Sequence, residues 1–233
     1  MRFSERIARV SRGIAVLAFA LFASITAAHA VDAVSVRSDS PAIDLTGILE
    51  FQKSDTDRIQ VSTAPGTDGI VRRIEVRARE GGTNWVVFAL ANNTDDQLDR
   101  LIVAPHYRIV SSGLLWPDLG LSRIATITPS TGDRPERQEN PITDIFRVTL
   151  DPGSVVTFVV ELRTDKLPQL YLWEPEAYKD KVNSFTLYQG IVIGIAGLLS
   201  LVLTILFVVK GSIMFPAAAG LSWAVLVLSL IHI

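Results

Sequence analysis

Two aromatic rings, Tyr107 and Trp116, are the side chains of this sequence best suited to contact a small ligand. Trp116 lies between Leu115 and Pro117 in a stretch that begins with a glycine, where the chain is expected to turn. A ring at a turn can stand clear of the core and pack its flat face against the apolar side of a sugar. Burial of Trp116 in the core is an equally open interpretation. The sequence therefore predicts a ligand contact at Trp116, supported by Tyr107.

The motifs of common catalytic and metal sites are absent from the sequence. His106 is the only histidine away from the two chain ends, and no carboxylate cluster stands near it in the sequence, so we expect a structural or exposed residue. The acidic residues at 55–57 and 95–96 do not continue into a calcium loop, which favours a role in turns. The chain has no cysteine, which excludes thiol nucleophiles and thiolate metal sites. We expect no catalytic residue, no metal and no cofactor.

The charge of the central region argues against nucleic acid as a partner. Residues 31–183 contain 17 Lys and Arg against 23 Asp and Glu, a balance of 17 − 23 = −6. Binding to phosphates depends on accumulated positive charge, so an acidic region of this kind is a poor nucleic-acid binder.

The N-terminus has the three parts of an export signal. Four arginines between Met1 and Arg12 precede an apolar stretch at 14–26, and Ala28-His29-Ala30 supplies the small residues of a cleavage site. This order predicts a signal peptide at 1–30 with cleavage before Val31. An uncleaved first membrane helix is the alternative interpretation.

Residues 31–183 show the two-residue period of β-strands. Charged and apolar residues alternate from Arg73 to Arg79, and Trp85–Ala91 is a nearly continuous apolar run that is typical of an inner strand. Short strands separated by turn signals predict an all-β periplasmic domain, a jelly roll or β-sandwich, in which Trp85 is buried. The Asp151-Pro152-Gly153 turn predicts a hairpin between the flanking strands, and Ser130–Pro141 is expected to be an exposed loop. Further strands are expected at Ile43–Phe51, Leu101–Ala104, Ile124–Thr128, Ile145–Leu150 and Val155–Arg163.

The C-terminal part predicts entry into a lipid bilayer. Residues 187–209 carry no charge and are long enough for one transmembrane helix, and a second apolar segment begins at 213. The last six residues, 228–233, are what the transposase end sequence CTGTCTCTTATACACATC encodes, so we interpret them as sequencing adapter. The second helix would then be truncated at 213–227. A genuine helix end is the alternative.

Several segments of the sequence, in order, resemble the sensor part of a known receptor family. Bacterial seven-transmembrane receptors with diverse intracellular signalling modules carry a strand of the form W-x-x-F-x-L-x-N, and Asn84–Asn93 resembles it. The later segments that match are the strand Leu98–Ala104, the strand and turn Phe146–Gly153, the segment Pro168–Trp173 and the helix start Tyr188–Gly194. The resemblance covers about residues 40–227.

The resemblance implies a carbohydrate-binding-like jelly roll, seven helices and a cytoplasmic output module. That module is commonly a diguanylate cyclase, a cyclic-di-GMP phosphodiesterase or a histidine kinase. We therefore expect the N-terminal fragment of an inner-membrane receptor whose periplasmic domain senses a small ligand, with a carbohydrate as one candidate and a homodimer left open. The alternatives are a membrane-anchored binding or adhesion module without signalling output and, less favoured because catalytic groups are missing, a membrane-tethered hydrolase.

Overall fold

The computed structural model describes residues 30–118, 121–210 and 214–231. The chain divides into two compact units, Met1–Leu172 and Trp173–Ile233. The described strands are β1 (Ala33–Val36), β2 (Ala42–Asp44), β3 (Glu50–Lys53), β4 (Arg58–Ser62), β5 (Arg73–Arg77), β6 (Asn84–Asn92), β7 (Leu98–Pro105), β8 (Tyr107–Ile109), β9 (Leu115–Pro117), β10 (Ile124–Pro129), β11 (Glu136–Gln138), β12 (Thr143–Leu150), β13 (Val155–Leu162) and β14 (Tyr171–Trp173). The described helices are a short 3₁₀ helix (Thr46–Ile48), α1 (Pro175–Lys210) and α2 (Met214–Ile231).

Two five-stranded sheets form the body of the first unit. The first sheet has the order β1-β6-β13-β10, with β3 also paired to β6, and the second has the order β11-β12-β7-β14-β2. Strand β6 is central to the first sheet: β13 pairs with its residues 84–91 on one side. On the other side β3 is antiparallel to its first half and β1 is parallel to its second half. The predicted β-sandwich is confirmed.

The main core lies between the sheets and follows from the alternation of side chains along each strand. On β6 the even-numbered positions Val86, Phe88 and Leu90 point into this core and are fully buried. Phe88 stacks on Phe158 of β13, with ring centroids 5.3 Å apart. Alternate residues of a strand point to opposite faces, so one half of the apolar run builds this layer.

A second apolar layer covers the outer face of the first sheet. The odd-numbered residues of β6, among them Trp85 and Val87, pack with Ile59 and Val76 of the β4–β5 hairpin. Strand β6 is therefore buried on both faces, which explains why its apolar run is continuous rather than alternating. Trp85 is 1% exposed, so its predicted burial is confirmed.

The hairpin predicted at Asp151–Gly153 is wrong. Strand β12 pairs with β7 in the second sheet, while β13 pairs with β6 in the first, so the turn crosses between the sheets. The connection from β6 to β7 crosses in the same way. Gly153 has a φ of 63°, which glycine adopts without strain in a hairpin or in a crossing turn. Turn chemistry alone could not separate these two outcomes.

Two other predicted segments differ from the structure. The strand expected at Ile43–Phe51 is divided by the 3₁₀ helix into β2 and β3, which belong to different sheets. The loop expected at Ser130–Pro141 contains β11, which pairs with β12 at the edge of the second sheet.

The second unit contains α1 and α2. Pro175 occupies the first helical position, where its missing N–H costs no hydrogen bond. The segment Pro175–Val209 is long and apolar enough to cross a membrane, with a mean hydropathy of 2.9 in its most apolar window. The indole N–H of Trp223 in α2 donates to the hydroxyl of Thr204 in α1 at 3.3 Å. The predicted signal peptide, Ala30 excepted, and the last two residues of the predicted adapter lie outside the described residues.

Candidate functional site

The predicted ligand residues lie on a small hairpin formed by β8 and β9. Its turn is closed by hydrogen bonds from Val110 N–H to Leu114 O (3.0 Å) and from Gly113 N–H to Val110 O (2.8 Å). Gly113 has a φ of 81°, a conformation that favours glycine. The Trp116 side chain is 58% exposed, and Leu114 beside it is 65% exposed. The ring thus stands in solvent, as a ligand contact requires.

The strand register does not bring Tyr107 and Trp116 onto the same face. Tyr107 is paired with Pro117, and Arg108 is paired with Trp116. Residues directly opposite one another share a face and neighbours along a strand do not, so Trp116 has Arg108 beside it and Tyr107 behind it. Tyr107 lies instead near Tyr171 of β14. Burial, with the charges of Asp44 and Tyr107, raises the pKa of the Tyr171 hydroxyl.

Both ends of this hairpin are fastened to the sandwich. The backbone N–H of His106, just before β8, donates to Ile142 O (2.9 Å), and Asp118 N–H, just after β9, donates to His106 O (2.7 Å). The carboxylate of Asp118 also accepts from the guanidinium of Arg123 at 2.5 Å. Arg123 is buried, so this ion pair is shielded from solvent screening. The hairpin that carries the exposed Trp116 ring is therefore held in place by hydrogen bonds to the sandwich.

The hydrogen bonds that hold this part of the sandwich centre on the buried carboxylate of Asp144. One oxygen accepts from the Ser122 hydroxyl and the Arg137 guanidinium, both at 2.8 Å. The other accepts from the backbone N–H groups of Arg123 (2.6 Å) and Ile124 (2.9 Å). Asp144 belongs to β12 and Ile124 to β10, so one side chain ties the second sheet to the first. A carboxylate with four donors is well compensated for its burial.

His106 is a buried member of the same cluster, so of the two expected roles, structural or exposed, it has the structural one. Its Nε2 is 3.4 Å from an Asp144 oxygen and its Nδ1 is 3.2 Å from Pro141 O. Ser122 also contacts Asp144, but its hydroxyl bonds to that carboxylate and to Ile124 O rather than to the imidazole. A hydrolytic triad needs a serine bonded to histidine, so this geometry does not provide an activated nucleophile.

Among the residues that the structure describes, no group of three or more histidine or carboxylate side chains could hold a metal ion. The acidic turn at 55–57 is used for ion pairing: Asp57 accepts from Arg77 at 2.8 Å. That contact fits the predicted turn role.

One feature of the sequence indicates the cluster that Asp144 forms with residues 106, 122, 123, 124 and 137. In β12 the alternate residues Phe146, Val148 and Leu150 are apolar and point inward, and Asp144 continues their series. A carboxylate at an inward position needs buried partners, which alternation alone could have indicated. The identity of those partners, from residues 106, 122, 123 and 137, depends on the tertiary fold.

The chain thus combines a β-sandwich unit with one apolar helix that is long enough to cross a membrane, the arrangement of a membrane-anchored domain. Residues 77–174 match the family model described as 7TMR-DISM extracellular 2. The predicted family is thereby confirmed for this segment, which is an extracellular sensor domain of the 7TMR-DISM type. No curated protein and no solved structure matches the chain.

The fold explains the residues of the W-x-x-F-x-L-x-N strand. Trp85 fills the outer layer, whereas Phe88 and Leu90 fill the core between the sheets. Asn92 is fully buried and its side-chain amide donates to the carbonyl oxygens of Asp96 (2.8 Å) and Leu150 (3.0 Å). Each motif position therefore has a distinct structural role, and all four side chains are buried.

Proposed function

We propose that the chain is the N-terminal part of a bacterial inner-membrane signalling receptor. The observation that carries this proposal is the order of the parts: the matched sensor domain ends at residue 174 and α1, with its candidate span, begins at Pro175. An exported sensor domain joined directly to a membrane helix is the arrangement of a receptor. The predicted signal peptide adds the route by which the domain reaches the periplasm.

The ligand of this domain is a small molecule, with a carbohydrate as the leading candidate. The support is Trp116, whose exposed indole is held on an ordered hairpin with Arg108 on the same face. An aromatic face contacts the C–H groups of a sugar ring, and a guanidinium beside it donates to hydroxyl or carboxylate oxygens. Tyr107 lies on the other face of the hairpin and contributes by supporting it.

Ligand binding biases a helix bundle between two arrangements and thereby controls a cytoplasmic output module. A ligand shifts such an equilibrium only through different affinities for the two arrangements. The output module is a diguanylate cyclase, a cyclic-di-GMP phosphodiesterase or a histidine kinase.

The test is to sequence the genomic locus with long reads through the codon of Ile233. We expect the reading frame to continue through five further apolar spans into a GGDEF, EAL or histidine kinase domain. A stop codon soon after the second span would instead show a membrane-anchored binding module without output. A genuine stop codon after Ile233 would in addition contradict the adapter interpretation of residues 228–233.

A further inference from the structure

His106 is a buried histidine at the point where the Trp116 hairpin joins the sandwich. It occupies the single position between β7 and β8, and its side chain is 4% exposed. Its backbone N–H donates to Ile142 O (2.9 Å), and its carbonyl oxygen accepts from the N–H of Asp118 just after β9 (2.7 Å). The backbone of one residue thus holds both strands of the hairpin, so a displacement of the imidazole would be passed on to them.

Both nitrogens of the His106 ring face an oxygen that accepts hydrogen bonds. Nδ1 is 3.2 Å from Pro141 O, and Nε2 is 3.4 Å from a carboxylate oxygen of Asp144. A carbonyl oxygen cannot donate, so the Nδ1 contact is a hydrogen bond only when Nδ1 carries the proton. The neutral ring then presents the lone pair of Nε2 to the carboxylate, and this nitrogen has no hydrogen-bond partner among the residues that the structure describes.

A second proton on the ring satisfies both contacts. The imidazolium form donates from both of its nitrogens, so Nδ1–H still serves Pro141 O while Nε2–H faces Asp144. The lone-pair contact thereby becomes an ion pair, and the Asp144 side chain is only 1% exposed, so little solvent screens it. Histidine is the side chain whose charge ordinarily changes between about pH 5 and pH 8. The contact is therefore placed to respond to pH in that range.

The other charged groups around Asp144 leave this contact in control. Two of them are ion pairs that are neutral as a whole, namely Arg123 with Asp118 and Arg163 with Glu80. Arg137 donates to Asp144 at 2.8 Å and opposes a second cation beside that carboxylate, as does the burial of the ring. The Arg137 side chain is 38% exposed, so solvent screens its repulsion more than it screens the direct contact between His106 and Asp144.

From this geometry we propose that His106 is a proton-dependent anchor of the Trp116 hairpin. At mildly acidic pH the ring takes a proton from solvent, binds Asp144 and Pro141 together and fixes the base of the hairpin through its own backbone. As pH rises, Nε2 loses that proton, its lone pair again faces the carboxylate, and the base of the hairpin loosens. One consequence rests on the proposed function: the affinity of the hairpin for its ligand rises as pH falls.

The experiment is hydrogen exchange of the full chain in detergent micelles at about pH 5.5 and about pH 8. Each measured rate is divided by the intrinsic rate at the same pH, so that only protection is compared. We expect the backbone amide of Asp118 to be about tenfold more protected at the lower pH, which corresponds to one unit of difference in proton affinity between the anchored and released states. The amide of Ser54, which donates to Thr83 O (2.9 Å) between β3 and β4, is the internal control and should show no change.

Two variants that cannot titrate separate the roles of the two ring nitrogens. His106→Asn places an amide near the position of Nδ1 and keeps only the donor to Pro141, so protection of Asp118 should stay at its high-pH level. His106→Gln places an amide near the position of Nε2 as a fixed donor to Asp144, so protection should not depend on pH. Protection of Asp118 that is independent of pH in the wild type, or that keeps its pH dependence in His106→Asn, would overturn the proposal.

Ligand binding is measured separately, with a glycan-binding screen of the wild type at the same two pH values. Absence of glycan binding at both values would count against the proposed function alone, because the protection of Asp118 requires no ligand. Glycan binding of equal affinity at both values would overturn the regulation of the hairpin by His106.

Discussion

The side-chain amide of Asn92 donates a hydrogen bond of 3.0 Å to the carbonyl oxygen of Leu150, although 58 positions separate them in the chain. This contact joins the two turns that cross between the sheets, since Asn92 ends β6 and Leu150 ends β12. The same amide also reaches Asp151 O at 3.1 Å. One buried side chain thereby closes the far end of the sandwich.

We predict that Asn92→Ala lowers the free energy of unfolding by about 2–3 kcal/mol, because it leaves buried carbonyl groups without donors. Chemical denaturation followed by circular dichroism measures the change. Asn93→Ala is the matched control: its amide bonds to Ser35 at an exposed site, so its effect should stay within about 0.5 kcal/mol. Similar losses in both variants would contradict the role assigned to Asn92.

Trp85 and Trp116 should respond differently to truncation. Trp85→Ala should destabilise the domain by about 3–5 kcal/mol because the ring is buried between the first sheet and the β4–β5 hairpin. Trp116→Ala should leave the melting temperature nearly unchanged and weaken ligand binding. Thermal unfolding and a glycan-binding screen test both halves. A destabilisation by Trp116→Ala that equals that of Trp85→Ala would remove the hairpin as a ligand site.

Asp144→Asn should weaken the link between the sheets and loosen the β8–β9 hairpin. We expect a loss of about 2–4 kcal/mol, below the full cost of a broken buried pair because the Arg137 side chain is 38% exposed. Hydrogen exchange gives the specific readout: the amide of Asp118, bonded to His106 O, should exchange faster. Unchanged exchange at Asp118 would show that the hairpin is held independently of Asp144. Asp55→Asn serves as an exposed control.

The Asp99–Arg147–Thr149 group predicts how the free energy of unfolding changes at acidic pH. Hydrogen bonds from Thr149 and Arg147 lower the pKa of Asp99 in the folded state. A lowered pKa adds stability that is present above the unfolded value of about 3.9 and is lost as pH falls through the folded value. The stability difference between the wild type and Asp99→Asn should thus be constant near neutral pH and shrink below about pH 4. A difference that grows on acidification would refute this coupling.

Export should produce a mature chain that begins at Val31. The Val31 side chain is 2% exposed and packs with Trp85 in the outer layer, so the proposed cleavage leaves in place the first buried residue of the part of the chain that the structure describes. N-terminal sequencing of protein recovered from the periplasmic membrane fraction checks this directly. Recovery of chains that retain residues 1–30 would favour the uncleaved helix.

Much of the fold could be predicted because local alternation and burial agree in the long strands. Strand β6 reads as doubly buried from its sequence, and it is the centre of the first sheet. The short strands β8, β9, β11 and β14 could not be predicted, because a segment of three residues is too short to show a two-residue period. The sequence also could not predict that β12 and β13 belong to different sheets, since the turn at Gly153 fits a hairpin and a crossing turn equally well.

The candidate site was predicted only in its exposed part. Trp116 could be singled out because a glycine and a proline flank it in the sequence, but the sequence left burial and exposure of its ring equally open, and the structure shows that it is exposed. Its orientation relative to Tyr107 depends on the register of two short strands, which local sequence does not encode. The buried hydrogen bonds below the hairpin join residues that are more than twenty positions apart, such as Ser122 and Asp144. Contacts between residues so far apart form only when the sandwich is assembled.

The crossing turns have a kinetic consequence. Because β6 pairs with β13 and β7 pairs with β12, neither sheet can begin as a simple hairpin between these neighbours in sequence. Domains dominated by such distant pairings have high contact order and fold slowly. The entropy cost of closing long loops comes before the favourable contacts form. A nascent chain that has emerged only as far as Leu150 lacks the strand that completes the centre of its first sheet. The first sheet therefore cannot be completed until residues beyond Leu150 have been synthesised, so folding of the domain should be delayed until most of its length is available.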